Sequence, residues 1–326
     1  MLALSLLLIV HEPQIASVVH KGETRFVEFL LNAGADPNRP AGNGETALDI
    51  AVFEHRADLA ALLIAHNARV DLTWGGSTPL DFAAALGNVE MARLLINHGA
   101  DVRRVYPSGR TALHMAIRNH HLEMAQLLID RGADINAHTD HAAPPLTEAI
   151  NRNFADTAEL LLTAGANPNI SGGSFSSPMQ LAMRLNRTAI VSLMIDAGAD
   201  ASPALHDLAL AGGTAMLRLL LEKGANANHR SKTGATPLHD AALAGKTDAI
   251  ELLLAHHADI NARETDSGDT PLYMAAAFGR EEAALLLLAK GADPNIADKA
   301  GATPLHATLA TGNTRIAEAL RAHGAR

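Results

Sequence analysis

The sequence predicts an all-α protein in which about ten helix-turn-helix units are stacked, with hairpin-like loops between them. Three observations predict this fold. The motif Thr-Pro-Leu-His stands at residues 236–239 and 303–306, and weaker copies occur earlier in the chain. Most copies follow one another after about 33 residues, a period typical of stacked-repeat proteins. A leucine-rich run and a Gly-Ala-Asp or Gly-Ala-Asn finish follow most copies at a fixed distance.

The first helix of each unit has a start that its residue types define. Thr236 is a good N-cap, and Pro237 suits the first turn, where its missing N–H breaks no hydrogen bond. Leu238 and Ala241 then recur at helical spacing and predict one apolar face. Gly245 is expected to end this helix.

The second helix of each unit is predicted from a leucine run and a stop signal. Leu252, Leu253 and Leu254 form such a run, and we expect them to lie in the core. A glycine follows most of these runs and predicts a left-handed helix end, with Asn67 and His257 as replacements that tolerate positive φ. These glycines are Gly34, Gly99, Gly132, Gly165, Gly198, Gly224 and Gly291.

The unit starts divide residues 13–326 into one predicted solenoid. Numbered one to ten, the repeats begin near Pro13, Thr46, Thr78, Thr111, Pro144, Ser177, Pro203, Thr236, Thr270 and Thr303. One loop is irregular, because only five positions separate Gly198 from Pro203 where most repeats have twelve, so the loop near 199–203 is shortened. Residues 1–12 are mostly apolar and are expected to form an N-terminal cap or a vestigial signal.

Together these motifs resemble the ankyrin repeat. The Thr-Pro-Leu-His start and the Gly-Ala-Asp-x-Asn finish at residues 34–38, 132–136 and 291–295 carry the resemblance, which covers nearly the whole chain. The resemblance implies a non-enzymatic scaffold that binds a protein partner on its concave face and loop tips. It also implies that the motif histidines His114, His206, His239 and His306 form local hydrogen bonds that support the loops.

Composition limits the classes of partner. The formal net charge is −9 and the pI about 6.0, which disfavours nucleic acid as a partner. The chain has no cysteine, so thiolate metal sites and cysteine catalysis are excluded. The longest apolar run, at residues 1–10, is shorter than the roughly 20 residues that span a bilayer, so stable membrane insertion is not expected. We expect a cytoplasmic monomer, or a secreted or periplasmic protein if residues 1–12 are a signal.

No motif predicts catalysis. The chain contains no Gly-rich phosphate loop with Lys-Ser/Thr, no Gly-x-Ser-x-Gly and no His-Glu-x-x-His. The least poor metal candidate is His138 and His141 with Asp140 in one loop, short of the three or four protein ligands that zinc takes. We therefore predict no metal and no cofactor. An exported effector, a periplasmic binding protein and a ligand- or metal-binding groove stay open as alternatives.

A basic stretch with aromatic residues in repeats three to six is the predicted partner site. Trp, Tyr and Arg dominate binding hot spots, and this stretch holds the only Trp and one of two Tyr. We expect it to bind an acidic segment of a protein, unless its arginines pair with neighbouring carboxylates. An apolar row at Leu210, Leu243 and Phe278 is a competing site. The candidate residues are Trp74, Arg103, Arg104, Tyr106, Arg110, Arg118, Asn119, Asn151, Arg152 and Arg184.

Overall fold

The structure is a computed structural model, and it describes residues 15–19, 23–170 and 177–326, without the side chains of residues 309–311. The predicted cap or vestigial signal at residues 1–12 lies outside the described residues. The chain divides into two compact units, residues 1–190 and residues 191–326. One continuous solenoid over residues 13–326 stays a prediction.

The described residues form twenty α-helices and no sheet, which confirms the all-α repeat fold; isolated bridges join Trp74 to Ser77 and Thr139 to Ala142. The helices come in ten consecutive pairs, as the periodicity predicts. In chain order they are α1 Ile15–Val19, α2 Thr24–Asn32, α3 Ala47–Phe53, α4 Ala57–Ala65, α5 Pro79–Leu86, α6 Val89–Asn97, α7 Ala112–Arg118, α8 Leu122–Asp130, α9 Pro145–Arg152, α10 Ala155–Thr163, α11 Pro178–Arg184, α12 Thr188–Asp196, α13 Ala204–Ala211, α14 Thr214–Glu222, α15 Pro237–Ala244, α16 Thr247–Ala255, α17 Pro271–Ala277, α18 Glu281–Ala289, α19 Pro304–Thr311 and α20 Thr314–Ala322.

Six first helices begin at the predicted threonine N-caps. At Thr111 the backbone N–H donates to His114 Nδ1 at 3.1 Å, and the threonine hydroxyl lies 2.9 Å from the same nitrogen. Thr46 makes the equivalent reciprocal bonds with Asp49. These bonds satisfy backbone donors that the first turn of a helix leaves unpaired. The other four caps are Thr78, Thr236, Thr270 and Thr303.

Second helices end at the predicted left-handed positions. Gly99 has φ 93° and Gly224 φ 89°, values at which a Cβ atom would be strained. Asn67 and His257 replace glycine with φ 67° and 65°, as expected for residue types that tolerate positive φ.

The Asn of the Gly-Ala-Asp-x-Asn finish joins one repeat to the next. Asn38 Oδ1 accepts from Arg69 N at 2.7 Å, and Asn38 Nδ2 donates to Asn67 O at 3.0 Å. In the shortened loop Ser202 stands at this position, and its Oγ accepts from Asn226 N at 3.1 Å. A residue four positions after Gly198 therefore keeps the connection even where the loop loses length.

The core of each unit is aliphatic. In the N-terminal unit Leu48, Leu80 and Leu113 are at most 1% exposed, and in the C-terminal unit Leu238 and Leu272 are fully buried. These five residues hold the Leu position of the motif, so the first helices of these five repeats bury the same position against their neighbours. Each helix is only about two or three turns long and depends on this packing for its stability.

Candidate partner-binding cleft

Two adjoining hollows in the N-terminal unit bring together five of the ten predicted site residues. The first, of about 340 Å³, lies between repeats four, five and six, and the second, of about 570 Å³, lies between repeats four and five. Arg110, Glu148 and Asn151 line both hollows, so the two form one cleft. Arg184 adds to the first hollow, and Arg118 and Arg152 to the second. We call this the arginine cleft.

The first hollow lies where the repeat departs from its motif. In repeat four His114 Nε2 lies 2.9 Å from Ala143 O of the next repeat, and in repeat eight His239 Nε2 lies 3.0 Å from Asp269 O. Repeat five has Thr147 at this position, and a threonine is too short to reach across in the same way. Thr147 is buried and lines the hollow together with Leu181. Among the described residues, the hollow therefore has a short side chain where other repeats have an imidazole.

The charge of the cleft is strongly positive. Four arginines and one glutamate line it, in a chain whose formal net charge is −9. Arg152 Nε donates to Glu148 Oε1 at 3.0 Å, and Glu148 is the only carboxylate among the described lining residues. Within the described residues Arg110, Arg118 and Arg184 form no ion pair. The alternative of arginines neutralised by neighbouring carboxylates thus applies to Arg152 and not to these three.

The histidine beside the cleft adds no charge at neutral pH. Burial lowers the pKa of His114, and the hydrogen bond to Ala143 O opposes this shift only in part. His114 therefore serves as a neutral link between repeats four and five, in agreement with its predicted structural role.

Arg104 and Tyr106 are committed to internal contacts. Arg104 Nη1 lies 3.1 Å from Asp81 Oδ2, Nη2 donates to Gly76 O at 2.9 Å, and the guanidinium stands 5.7 Å from the centre of the Tyr106 ring. Tyr106 is 9% exposed and Asp81 is 3% exposed. Burial raises the pKa of Tyr106, and the charge of Asp81 raises it further. The pair holds a loop in place and does not face the arginine cleft.

Three further predicted residues also bond within the chain. Trp74 Nε1 donates to Asn43 O at 3.0 Å, Arg103 Nε donates to Gly132 O at 2.7 Å, and Asn119 Nδ2 donates to Ala85 O at 2.9 Å. Each bond joins neighbouring repeats. Whether these residues also contact a partner stays a prediction, but their polar groups already have internal roles.

Trp74 belongs to an aromatic cluster that the sequence reasoning missed. Its ring centre lies 5.8 Å from that of Phe53 and 5.6 Å from that of Phe82, and the two phenylalanine rings are 4.7 Å apart. Phe53 remains 39% exposed. The three rings come from repeats two and three and the loop between them. Their repeat positions differ, so a comparison of equivalent positions does not bring them together.

One motif histidine does not have the predicted role. His206 makes no bond to a cap residue, because Pro203 stands where other repeats have threonine and provides no side-chain cap. Its Nδ1 lies instead 2.6 Å from Asp240 Oδ2, and its Nε2 lies 3.1 Å from His229 Nδ1. The expectation of a local bond at this position was therefore wrong for His206. His239 and His306 both bond to their own threonine as expected.

The candidate metal residues of the loop at 138–141 do not form a cluster in the described part of the chain. That part contains no group of three or more His, Asp or Glu side chains that could hold a metal ion, and His138 Nδ1 bonds to Asn136 O at 2.8 Å. None of its helices combines the length and the apolar character needed to cross a membrane.

Consecutive helix pairs that repeat one sequence motif define a helical repeat protein. The family model for ankyrin repeats (3 copies) matches residues 15–106, 75–139, 103–172, 178–264, 205–298 and 262–326. The chain belongs to the ankyrin-repeat family, whose repeats are in general protein–protein interaction modules without enzymatic activity. No curated protein matches the sequence significantly.

Proposed function

We propose that the protein is a non-enzymatic interaction scaffold whose arginine cleft binds an acidic segment of a partner protein. One observation carries the proposal: three arginines without an ion pair in the described structure, and a fourth paired to Glu148, surround a hollow on an acidic protein. Arginine presents several N–H donors in a planar fork that matches a carboxylate, so such a group of side chains favours anionic partners.

The strength of each contact is modest and the specificity comes from their number. An exposed Arg–carboxylate pair contributes about 0.2–1 kcal/mol, so Arg110, Arg118 and Arg184 together contribute roughly 0.6–3 kcal/mol. The same charges accelerate encounter with an acidic partner and disfavour basic ones. We therefore expect weak to moderate affinity that depends strongly on salt.

A labelled Glu-rich peptide tests the proposal. Its binding to the full-length protein is measured by fluorescence anisotropy, and the variant R110A/R118A/R184A should weaken it by about 3- to 150-fold. The control variant R93A/R218A/R321A removes the same charge from exposed arginines on second helices outside the cleft. Equal losses in the two variants would show that net charge alone attracts the peptide and would overturn the proposal.

The apolar row in the C-terminal unit is the competing site. Leu210 is 46% exposed and Phe278 is 56% exposed. An apolar peptide that binds the wild type but not L210S/F278S, and is indifferent to the arginine variants, would move the principal site to this row. The Glu-rich peptide is expected to bind the L210S/F278S variant and the wild type equally.

A further inference from the structure

The arginine cleft contains a regular row of side chains along the stack of repeats. Arg118, Asn151 and Arg184 lie at the same repeat position in repeats four, five and six, and all three are exposed. They stand at or next to the carboxyl ends of α7, α9 and α11, of which each packs against the next. The row therefore reads Arg, Asn, Arg at constant intervals.

The interval between the two arginines can be estimated from helix packing. Packed helix axes lie about 8–10 Å apart, so positions two repeats apart are separated by roughly 16–20 Å. An extended chain advances about 3.3 Å per residue, and this separation corresponds to about five or six residues. A β-strand presents every second residue on one face and a polyproline II helix every third, so a spacing of about six suits both.

We propose that the cleft recognises an extended peptide segment with two acidic residues about six positions apart and a non-acidic residue midway. This inference rests on the proposed function and names the form of its ligand. The acidic residues meet Arg118 and Arg184. Asn151, which can both donate and accept hydrogen bonds, meets the peptide backbone between them.

Glu148 supplies the selection against a central acid. It lies one helical turn before Arg152, lines both hollows and accepts from Arg152 Nε. A carboxylate placed midway along the segment stands close to Glu148, and like charges repel each other. Small or neutral residues in the middle of the segment are therefore favoured.

A spacing series of labelled peptides tests the inference. Each peptide carries two glutamates separated by about three to nine positions, and proline-rich spacers hold it extended at about 3.1 Å per residue. Anisotropy with the full-length protein should give the tightest binding near a spacing of six, several-fold tighter than at four or eight. In R184A the profile should become flat, and the control variant R93A/R218A/R321A should keep its maximum.

A second arm tests the middle of the segment. Adding a central glutamate to the best peptide should weaken binding to the wild type, and E148Q should remove that loss. Arginine-dependent binding without any preferred spacing would overturn this inference and leave the proposed function standing. Binding that ignores the cleft arginines would overturn both. If helical peptides bound most tightly with their glutamates about 11 or 14 positions apart, and the extended series had no preferred spacing, the occupant would be a helix.

Discussion

Replacement of Arg104 by alanine should destabilise repeat three, because it leaves the carboxylate of Asp81 buried without its cation. Asp81 is 3% exposed and accepts from Thr78 N at 2.7 Å and from Arg104 Nη1 at 3.1 Å. Removing one partner of a fully buried ion pair leads to a loss of about 3–5 kcal/mol. The Arg104 side chain is 27% exposed, so water reaches part of the pair. We therefore expect a loss of about 2–3 kcal/mol.

The repeat motif supplies the matched rescue. Where the motif has histidine, the neutral ring bonds to the threonine cap and to a carbonyl of the next repeat, as His114 does, and needs no cation. In R104A/D81H the imidazole should accept from Thr78 N and reach Arg110 O, the carbonyl at the equivalent position. The double variant should regain most of the loss, and the double-mutant cycle then measures the coupling between Arg104 and Asp81.

Protonation gives this prediction its pH dependence. Burial raises the pKa of Asp81 above its ordinary value, while the hydrogen bonds from Thr78 and the charge of Arg104 oppose the shift. An acidic group whose pKa is higher in the folded state than in the unfolded state supports folding while it is protonated, below its unfolded-state pKa. This contribution to the free energy of unfolding is lost as the pH rises through the folded-state pKa. Without Arg104 the pKa rises further, so the penalty of R104A should be large near pH 7 and small near pH 4.

Hydrogen exchange of the α5 amides measures the effect locally, since long repeat arrays do not unfold in one two-state step. Urea unfolding followed by helical circular dichroism gives the global value. A loss below about 0.5 kcal/mol for R104A, or an R104A/D81H variant that restores none of the loss, would refute the reasoning.

Three further predictions follow from neighbouring residues. Asp49 is fully buried, its Oδ1 has no hydrogen-bond partner among the described residues, and burial raises its pKa. D49H should therefore stabilise repeat two by about 1–3 kcal/mol near pH 7 and lose this gain near pH 4 in urea unfolding. T147H should fill the first hollow and weaken binding of the Glu-rich peptide, whereas T147S should leave the binding unchanged. Equal peptide binding by the two variants would show that the hollow plays no part in recognition. Raising NaCl from about 0.05 to 0.5 M should weaken peptide binding to the wild type and far less to R110A/R118A/R184A.

The fold was predictable because its signals are local. Thr236 and Gly245 begin and end a helix through bonds and backbone angles within a few residues. The same applies to Asn38, whose turn follows directly from the Gly-Ala-Asp-x-Asn finish. The repeat period then sets these local signals in register, so tertiary contacts add little uncertainty to the helix bounds.

The site was only partly predictable, because the pairing of each arginine depends on residues one repeat away. Arg104 and Arg118 look alike in sequence, yet Arg104 meets a buried Asp81 while Arg118 meets no carboxylate within the described residues. Two signals were nonetheless present. Asp81 replaces the motif histidine and needs a cation, and Thr147 replaces it with a shorter side chain and leaves space. A comparison of the fourth motif position across the repeats would have identified both Asp81 and Thr147 as departures from the motif.

That fourth position explains how one fold produces different surfaces along the chain. Histidine closes the joint between repeats through a bond to the next carbonyl, as His114 and His239 do. At position 81 aspartate pairs with an arginine from the following loop, and this removes Arg104 from the binding surface. Thr147 has a shorter side chain than histidine, and it lines a hollow that Arg110 and Arg184 also border. The proposed recognition site thus lies where the repeat departs from its motif, since conformity to the motif at this position fills the space that a ligand would need.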